Sequence, residues 1–111
     1  MRILNDLASS PIFVSYVSIG ELYEQAFWSV NPQALLLSFR HFLSSYHKLT
    51  LTEEIMEWFA ELRFYLRRRG QLIQDFDILI AATALYFDLT LLTFNLSHFQ
   101  RIPELKLYQP R

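Results

Sequence analysis

Residues 75–93, DFDILIAATALYFDLTLLT, decide the fold because they join a helical pattern directly to a strand pattern. Asp75 or Asp77 opens the helix, and nearly all of its faces are apolar or small, which is typical of a helix packed closely on a sheet. The residues that form these faces are Ile78, Leu79, Ala81, Ala82 and Leu85. Residues 89–93 then form a predicted strand. We therefore expect a buried helix lying against a sheet.

The rest of the chain alternates strands with helices. Three further segments have strand patterns, namely residues 12–18, 48–51 and 105–108. Three helices are predicted to start near the capping residues Ser18, Asn31 and Thr52. The first would use a capping box of Ser18 and Glu21, and the last would end at Gly70. Strands separated by helices imply a mainly parallel sheet, so the predicted class is α/β, in a single domain over residues 1–111.

The composition limits the kinds of site that the chain can hold. It contains 52% apolar residues and no cysteine, so disulfides and thiolate ligands are excluded and hard ions such as Mg²⁺ or Mn²⁺ are favoured. His41, His47 and His98 lack the spacing of a metal site and are predicted to be surface or packing residues. No apolar run approaches the roughly 20 residues that span a bilayer, and the first residues do not resemble a signal peptide. We expect a cytoplasmic protein without membrane association.

The basic residues are concentrated at one place. Net charge is −1, so any nucleic-acid binding must be local, and the one dense basic group is Arg63, Arg67, Arg68 and Arg69. Arg63 and Arg67 share a helical face, which suits phosphate contacts. Cations also collect at helix C-termini because the dipole favours them there, and this second interpretation is the preferred one.

Polar side chains follow the predicted strands at the sheet edge where ligand sites of such sheets lie. Glu21 comes soon after the first strand, Asp77 heads the buried helix, and Asn95 follows the strand that ends at Thr93. If these ends converge, Glu21, Asp77 and Asn95 offer oxygen ligands for Mg²⁺. Each also has a structural interpretation that spacing alone favours: a capping box for Glu21, helix-start acids for Asp75 and Asp77, and a turn for Asn95.

Four segments of the chain match one known order of motifs. Residues 14–26, VSYVSIGELYEQA, are a strand followed by a helix with a GEL sequence. Residues 71–85, QLIQDFDILIAATAL, are an acid-headed, Ala-rich helix that follows an arginine-rich helix end and a glycine. Residues 90–95, TLLTFN, and 98–107, HFQRIPELKL, complete the series. In this order and spacing, the segments resemble the PIN-domain ribonucleases found as VapC-type toxins.

The resemblance implies a PIN-like three-layer fold and a ribonuclease that uses Mg²⁺ or Mn²⁺ to cleave RNA. It also implies a VapB-like antitoxin as partner and a homodimer. By the same resemblance, Glu21, Asp77 and Asn95 match the catalytic and metal-binding positions of the family. Asp75 and Thr93 are candidate helpers, and Arg63 and Arg67 are candidate RNA contacts.

The chain departs from the family pattern at its start. Family members begin with an apolar strand, the middle one of their sheet, that ends in Asp-Thr/Ser-Asn, and nothing in this sequence corresponds to it. Asp6 lacks a preceding β-rich run and better fits the end of a helix. We therefore expect a domain truncated at its N-terminus with impaired ribonuclease activity. The alternative is a non-catalytic PIN-like remnant that acts by protein–protein association.

Overall fold

The computed structural model describes residues 13–93 and 96–108, so the predictions for Asp6 and residue 12 lie outside the described residues. The elements in chain order are β1 (Phe13–Ser15), α1 (Tyr16–Phe27), α2 (Pro32–Leu43), β2 (His47–Leu49), α3 (Glu53–Arg68), α4 (Asp75–Tyr86) and α5 (Leu96–Phe99). The chain divides into two compact units, Met1–Thr50 and Leu51–Arg111. The strand pairing found among the described residues is parallel, which confirms the predicted α/β class. The assignment of residues 1–111 to one domain stays a prediction.

In the first unit, β1 and β2 form a parallel pair in which Phe13 lies opposite His47 and Ser15 opposite Leu49. Parallel neighbours cannot be joined by a hairpin and need a long crossover, which α1 and α2 provide. Asn31 caps α2 as predicted, because its Oδ1 accepts a hydrogen bond from the Ala34 N–H at 3.3 Å. The second strand, predicted at residues 48–51, begins one residue earlier and ends two residues earlier, at His47–Leu49.

The boundary between β1 and α1 differs from the prediction. The strand ends at Ser15, not residue 18, and the helix begins at Tyr16. Ser15 is the N-cap, because its Oγ accepts a hydrogen bond from the Ser18 N–H at 3.1 Å. This cap satisfies one free N–H of the first turn and prevails over the strand preference of Tyr16 and Val17. The predicted capping box of Ser18 and Glu21 is therefore wrong.

In the second unit, α3 begins and ends where the sequence predicts. The Thr52 hydroxyl accepts a hydrogen bond from the Ile55 N–H at 3.2 Å. At the other end, Gly70 has a φ of +67°, and the Gln71 N–H donates to the Leu66 carbonyl at 2.9 Å. This is the hydrogen-bond pattern that closes a helix when the residue after the last turn is left-handed.

The core of this unit lies between α3 and α4. Ile55, Leu66 and Ile78 have no exposed surface, and burial of side chains of this size contributes about 1.5–3 kcal/mol each. Ala81 and Ala82 are also fully buried, and their small side chains allow the neighbouring backbone to approach closely. The prediction that this helix is buried is confirmed.

The last two predicted strands are reduced to one parallel bridge between Leu91 and Leu107. Leu91 donates its N–H to the Lys106 carbonyl at 2.8 Å, and its carbonyl accepts from the Tyr108 N–H at 2.8 Å. Each of the two predicted strands therefore contains a paired residue, but the pairing is much shorter than the predicted ranges 89–93 and 105–108. Glu104 has a φ of +66°, a left-handed conformation that turns the chain just before the paired residues.

Candidate metal centre

Asp77 is held at the third position of α4, which begins at Asp75. Gln74 occupies the N-cap and makes no side-chain capping hydrogen bond, so the acids of the first turn are the groups that compensate the helix dipole. The Asp77 side chain is only 16% exposed. A carboxylate withdrawn from water needs charged or hydrogen-bonding neighbours, so the surroundings of Asp77 determine its chemistry.

His98 is the neighbour of Asp77 that sequence reasoning missed. Its Nδ1 lies 3.6 Å from Asp77 Oδ2, and its side chain is 37% exposed. His98 belongs to α5, and the next residue, Phe99, is buried in the core of the second unit. The sequence did contain one signal for His98: it comes shortly after the predicted strand that ends at Thr93, as Asn95 does. The structure therefore joins His98 to the candidate site.

Asp75 points to a different partner. Its Oδ1 accepts a hydrogen bond from Arg63 Nε at 2.9 Å, and the two side chains are 58% and 35% exposed. The residue predicted as a helper of the metal site and one of the two predicted RNA contacts thus form an ion pair with each other.

The remaining predicted site residues, two ligands and one helper, lie in different parts of the chain. Glu21 lies in the second turn of α1 in the first unit, where it is partly buried, and Thr93 is partly buried in the second unit. Both are already engaged with neighbouring groups. Asn95 lies outside the described residues. Because α1 begins at Tyr16, the structural interpretation of Glu21 as a capping-box acid no longer applies.

The donor chemistry of Asp77 fits a hard divalent cation. It is a largely buried carboxylate, and within residues 13–93 and 96–108 no lysine or arginine forms an ion pair with it. Carboxylate, amide and hydroxyl oxygens are the ligands that Mg²⁺ and Mn²⁺ prefer. The same residues contain no group of three or more His, Cys, Asp or Glu side chains arranged to hold a metal. Among these residues the candidate site is therefore defined by the Asp77 carboxylate and the His98 imidazole that lies against it.

The arginines at the end of α3 differ in their surroundings. The Arg68 guanidinium lies 5.7 Å from the centroid of the Phe64 ring, and that of Arg69 lies 4.9 Å from the Tyr65 centroid. Arg67 is exposed. Of the two candidate RNA contacts, Arg63 is engaged by Asp75, whereas Arg67 forms no ion pair within the described part of the chain.

In the described part of the chain, no helix has the length and apolar character to cross a membrane.

Comparison with known proteins identifies the family, although no family model matches the chain. The chain is 36% identical over 99 residues to Ribonuclease VapC2 of Rickettsia felis, a match that covers 89% of this chain and 74% of that protein. The chain belongs to the VapC ribonuclease family. A shorter match, 42% identical over 60 residues, covers 52% of this chain and 44% of Ribonuclease VapC1 of Methanocaldococcus jannaschii.

A solved structure of a related complex has a similar fold to this VapC-family chain. The crystal structure of VapBC2 from R. felis, bound to a DNA fragment from their promoter, is similar with a TM-score of 0.87 and 30% identity. The similarity covers 96% of this chain and 80% of that one. The predicted PIN-like α/β fold is thereby confirmed.

Proposed function

We propose that this chain is a metal-dependent ribonuclease of a toxin–antitoxin pair. The observation that carries the proposal is the 36% identity to a VapC ribonuclease over 74% of that protein. The largely buried carboxylate of Asp77 at the start of α4 also supports the proposal, because a carboxylate is a suitable ligand for a divalent metal ion. The proposed site of action is the cytoplasm, where RNA substrates are made and translated.

The proposed metal ligands are Glu21, Asp77 and Asn95, with Asp75 and Thr93 as helpers. All of them offer oxygen atoms, and the favoured ions are Mg²⁺ and Mn²⁺. When bound, such an ion supplies Lewis acidity and neutralises negative charge at a phosphodiester.

Asp77 has the clearest role among these residues. Its position at the third residue of α4 places the carboxylate in the first turn of a helix that packs in the core of the second unit. Its low exposure excludes most of the water that would screen its charge. Asp77 is thus the proposed central ligand. Arg67 is the proposed phosphate contact, because it is exposed and forms no ion pair within the described residues.

We further propose that the chain binds a VapB-like antitoxin and forms a homodimer. The support is the R. felis structure, which is of VapBC2. Exposed large apolar side chains in the first unit favour association with other chains, because apolar surface of this kind commonly marks protein interfaces. They include Phe27, Trp28, Val30, Leu37 and Phe42. The molar mass of the chain by light scattering, alone and after coexpression with a VapB-like protein, tests both associations.

The activity is tested by RNA cleavage with and without Mg²⁺ or Mn²⁺. We expect weak cleavage, in line with the impaired activity predicted from the sequence. It should require the metal, be removed by chelation, and fall further in Asp77→Asn by a factor of about 10². Asp88→Asn is the matched control, because Asp88 is 86% exposed and pairs with Lys106 at 2.8 Å. Cleavage that survives chelation, or that is equal in Asp77→Asn and Asp88→Asn, would contradict the proposal. Complete absence of cleavage from a folded chain would favour a non-catalytic role.

A further inference from the structure

The segment from α5 to Ile102 contacts the region where α4 begins at two points. His98 Nδ1 lies 3.6 Å from Asp77 Oδ2, and Arg101 Nη1 donates to the Gln71 carbonyl at 3.3 Å. The segment is itself anchored, because Phe99 is 3% exposed and Ile102 is 4% exposed within the core. The imidazole is therefore presented to Asp77 from a fixed backbone.

Asp77 has a specific need for such a neighbour. The last torsion of an aspartate side chain is soft and has broad minima, so burial alone does not fix the direction of its two oxygens. Within the described parts of the chain, no lysine or arginine forms an ion pair with Asp77, whereas Asp75 and Asp88 both have such a partner. Among the described residues, His98 is the ionisable side chain that lies against Asp77.

We propose that His98 is a positioning residue that holds Oδ2 of Asp77 and thereby leaves Oδ1 for a divalent cation. The inference rests on the proposed metal-dependent function. Partners behind a ligating carboxylate commonly fix its orientation, and their removal costs about 10–100-fold in metal affinity. The distance of 3.6 Å exceeds a direct hydrogen bond by about 0.5 Å, and such contacts are often long before the ligand binds.

His98 is distinguishable from a residue that merely supports the fold. Its side chain is 37% exposed, while the adjacent Phe99 and Ile102 carry the apolar packing of the segment. Loss of the imidazole should therefore change the melting temperature by no more than about 3 °C, as for other surface substitutions. A larger effect on metal binding than on stability is the signature of positioning.

The experiment measures Mn²⁺ affinity by calorimetry in the full chain, without RNA. We expect His98→Ala and His98→Leu to bind Mn²⁺ about tenfold more weakly than the unmodified chain. His98→Asn should recover most of the affinity, because its amide nitrogen can take the place of Nδ1. His41→Ala is the matched control, because His41 is exposed on α2, and it should bind as the unmodified chain does.

The outcomes separate this inference from the function on which it rests. Unchanged Mn²⁺ affinity in both His98→Ala and His98→Leu, with affinity lost in Asp77→Asn, would overturn the positioning role alone. Unchanged affinity in Asp77→Asn, or no Mn²⁺ binding by the unmodified chain, would overturn the metal site and the positioning role together. If His98→Ala melts far below the unmodified chain, the comparison of His98→Leu with His98→Asn decides, because equal affinities would contradict the role.

Discussion

Arg63 donates from its Nε to Oδ1 of Asp75 at 2.9 Å, and this ion pair ties the C-terminal half of α3 to the first residue of α4. Two residues that each had a candidate role toward RNA or metal are thus engaged with each other. Since Asp77 lies two residues further along α4, the pair also helps to fix the turn that presents it. The Arg63–Asp75 ion pair should therefore act mainly on the structure of this region.

Disruption of this pair should cost little stability. The two side chains are 35% and 58% exposed, and exposed pairs contribute about 0–1 kcal/mol. We expect a double-mutant cycle of Arg63→Ala and Asp75→Ala, measured by urea unfolding, to give a coupling energy of about 0.5 kcal/mol that disappears in 1 M salt. A coupling that persists in high salt would show that the interaction is not mainly electrostatic.

Arg67 should contribute more to RNA binding than Arg63. The guanidinium of Arg67 has no acidic partner among the described residues, whereas that of Arg63 is held by Asp75. We expect Arg67→Ala to reduce the slope of log affinity against log salt by about 0.7, the value for one lost phosphate contact on a single strand. Arg63→Ala should change the slope less, as measured by fluorescence anisotropy with a cleavage-deficient Asp77→Asn background. Equal slopes for Arg67→Ala and Arg63→Ala would contradict the prediction that Arg67 contributes more to RNA binding.

The two glycines of the chain should respond to alanine in opposite directions. Gly20 lies inside α1, and an added Cβ would meet no atom within 4 Å, so Gly20→Ala should stabilise the protein by about 0.5–1 kcal/mol. Gly70 has a φ of +67°, which strains any other residue, so Gly70→Ala should destabilise it by about 1 kcal/mol. The melting temperatures of Gly20→Ala and Gly70→Ala, measured by thermal unfolding, test both predictions. A loss of stability in Gly20→Ala would contradict this account of the helix interior.

Asp88 occupies a left-handed position after α4, with a φ of +55°. The Leu89 N–H donates to the Ala84 carbonyl at 2.8 Å, which is the same closing pattern that Gly70 provides for α3. We expect Asp88→Gly to be more stable than Asp88→Asn by about 0.5 kcal/mol, because both lose the ion pair with Lys106 but only glycine removes the backbone strain. Chemical denaturation would compare them, and a less stable glycine variant would contradict this account.

Helix ends with unambiguous capping chemistry could be predicted from the sequence. Asn31 and Thr52 each accept a hydrogen bond from the N–H three residues later, and Gly70 takes the left-handed conformation. The start of α1 could not be predicted in this way, because Ser15 and Ser18 are both good caps and lie one turn apart. The serine that forms the cap is the one whose backbone is still extended, at a ψ of 150°.

The candidate site could be predicted only in part for a related reason. Asp77 was found because an acid at the head of a buried helix has a local signature. Its contact with His98 has none, since it depends on how α5 packs within the segment that the Leu91–Leu107 bridge closes. A polar contact between distant residues is set by tertiary packing, which neither periodicity nor spacing records.

The parallel register of β1 and β2 has a consequence for the order in which the first unit folds. Phe13 meets His47 only after the chain between them has passed through α1 and α2, so this pairing closes a long loop and cannot form early. The two helices, whose backbone hydrogen bonds are local, should form first and bring the strands together. Substitutions in α1 or α2 should therefore slow refolding, whereas changes within the β1–β2 pair should mainly accelerate unfolding.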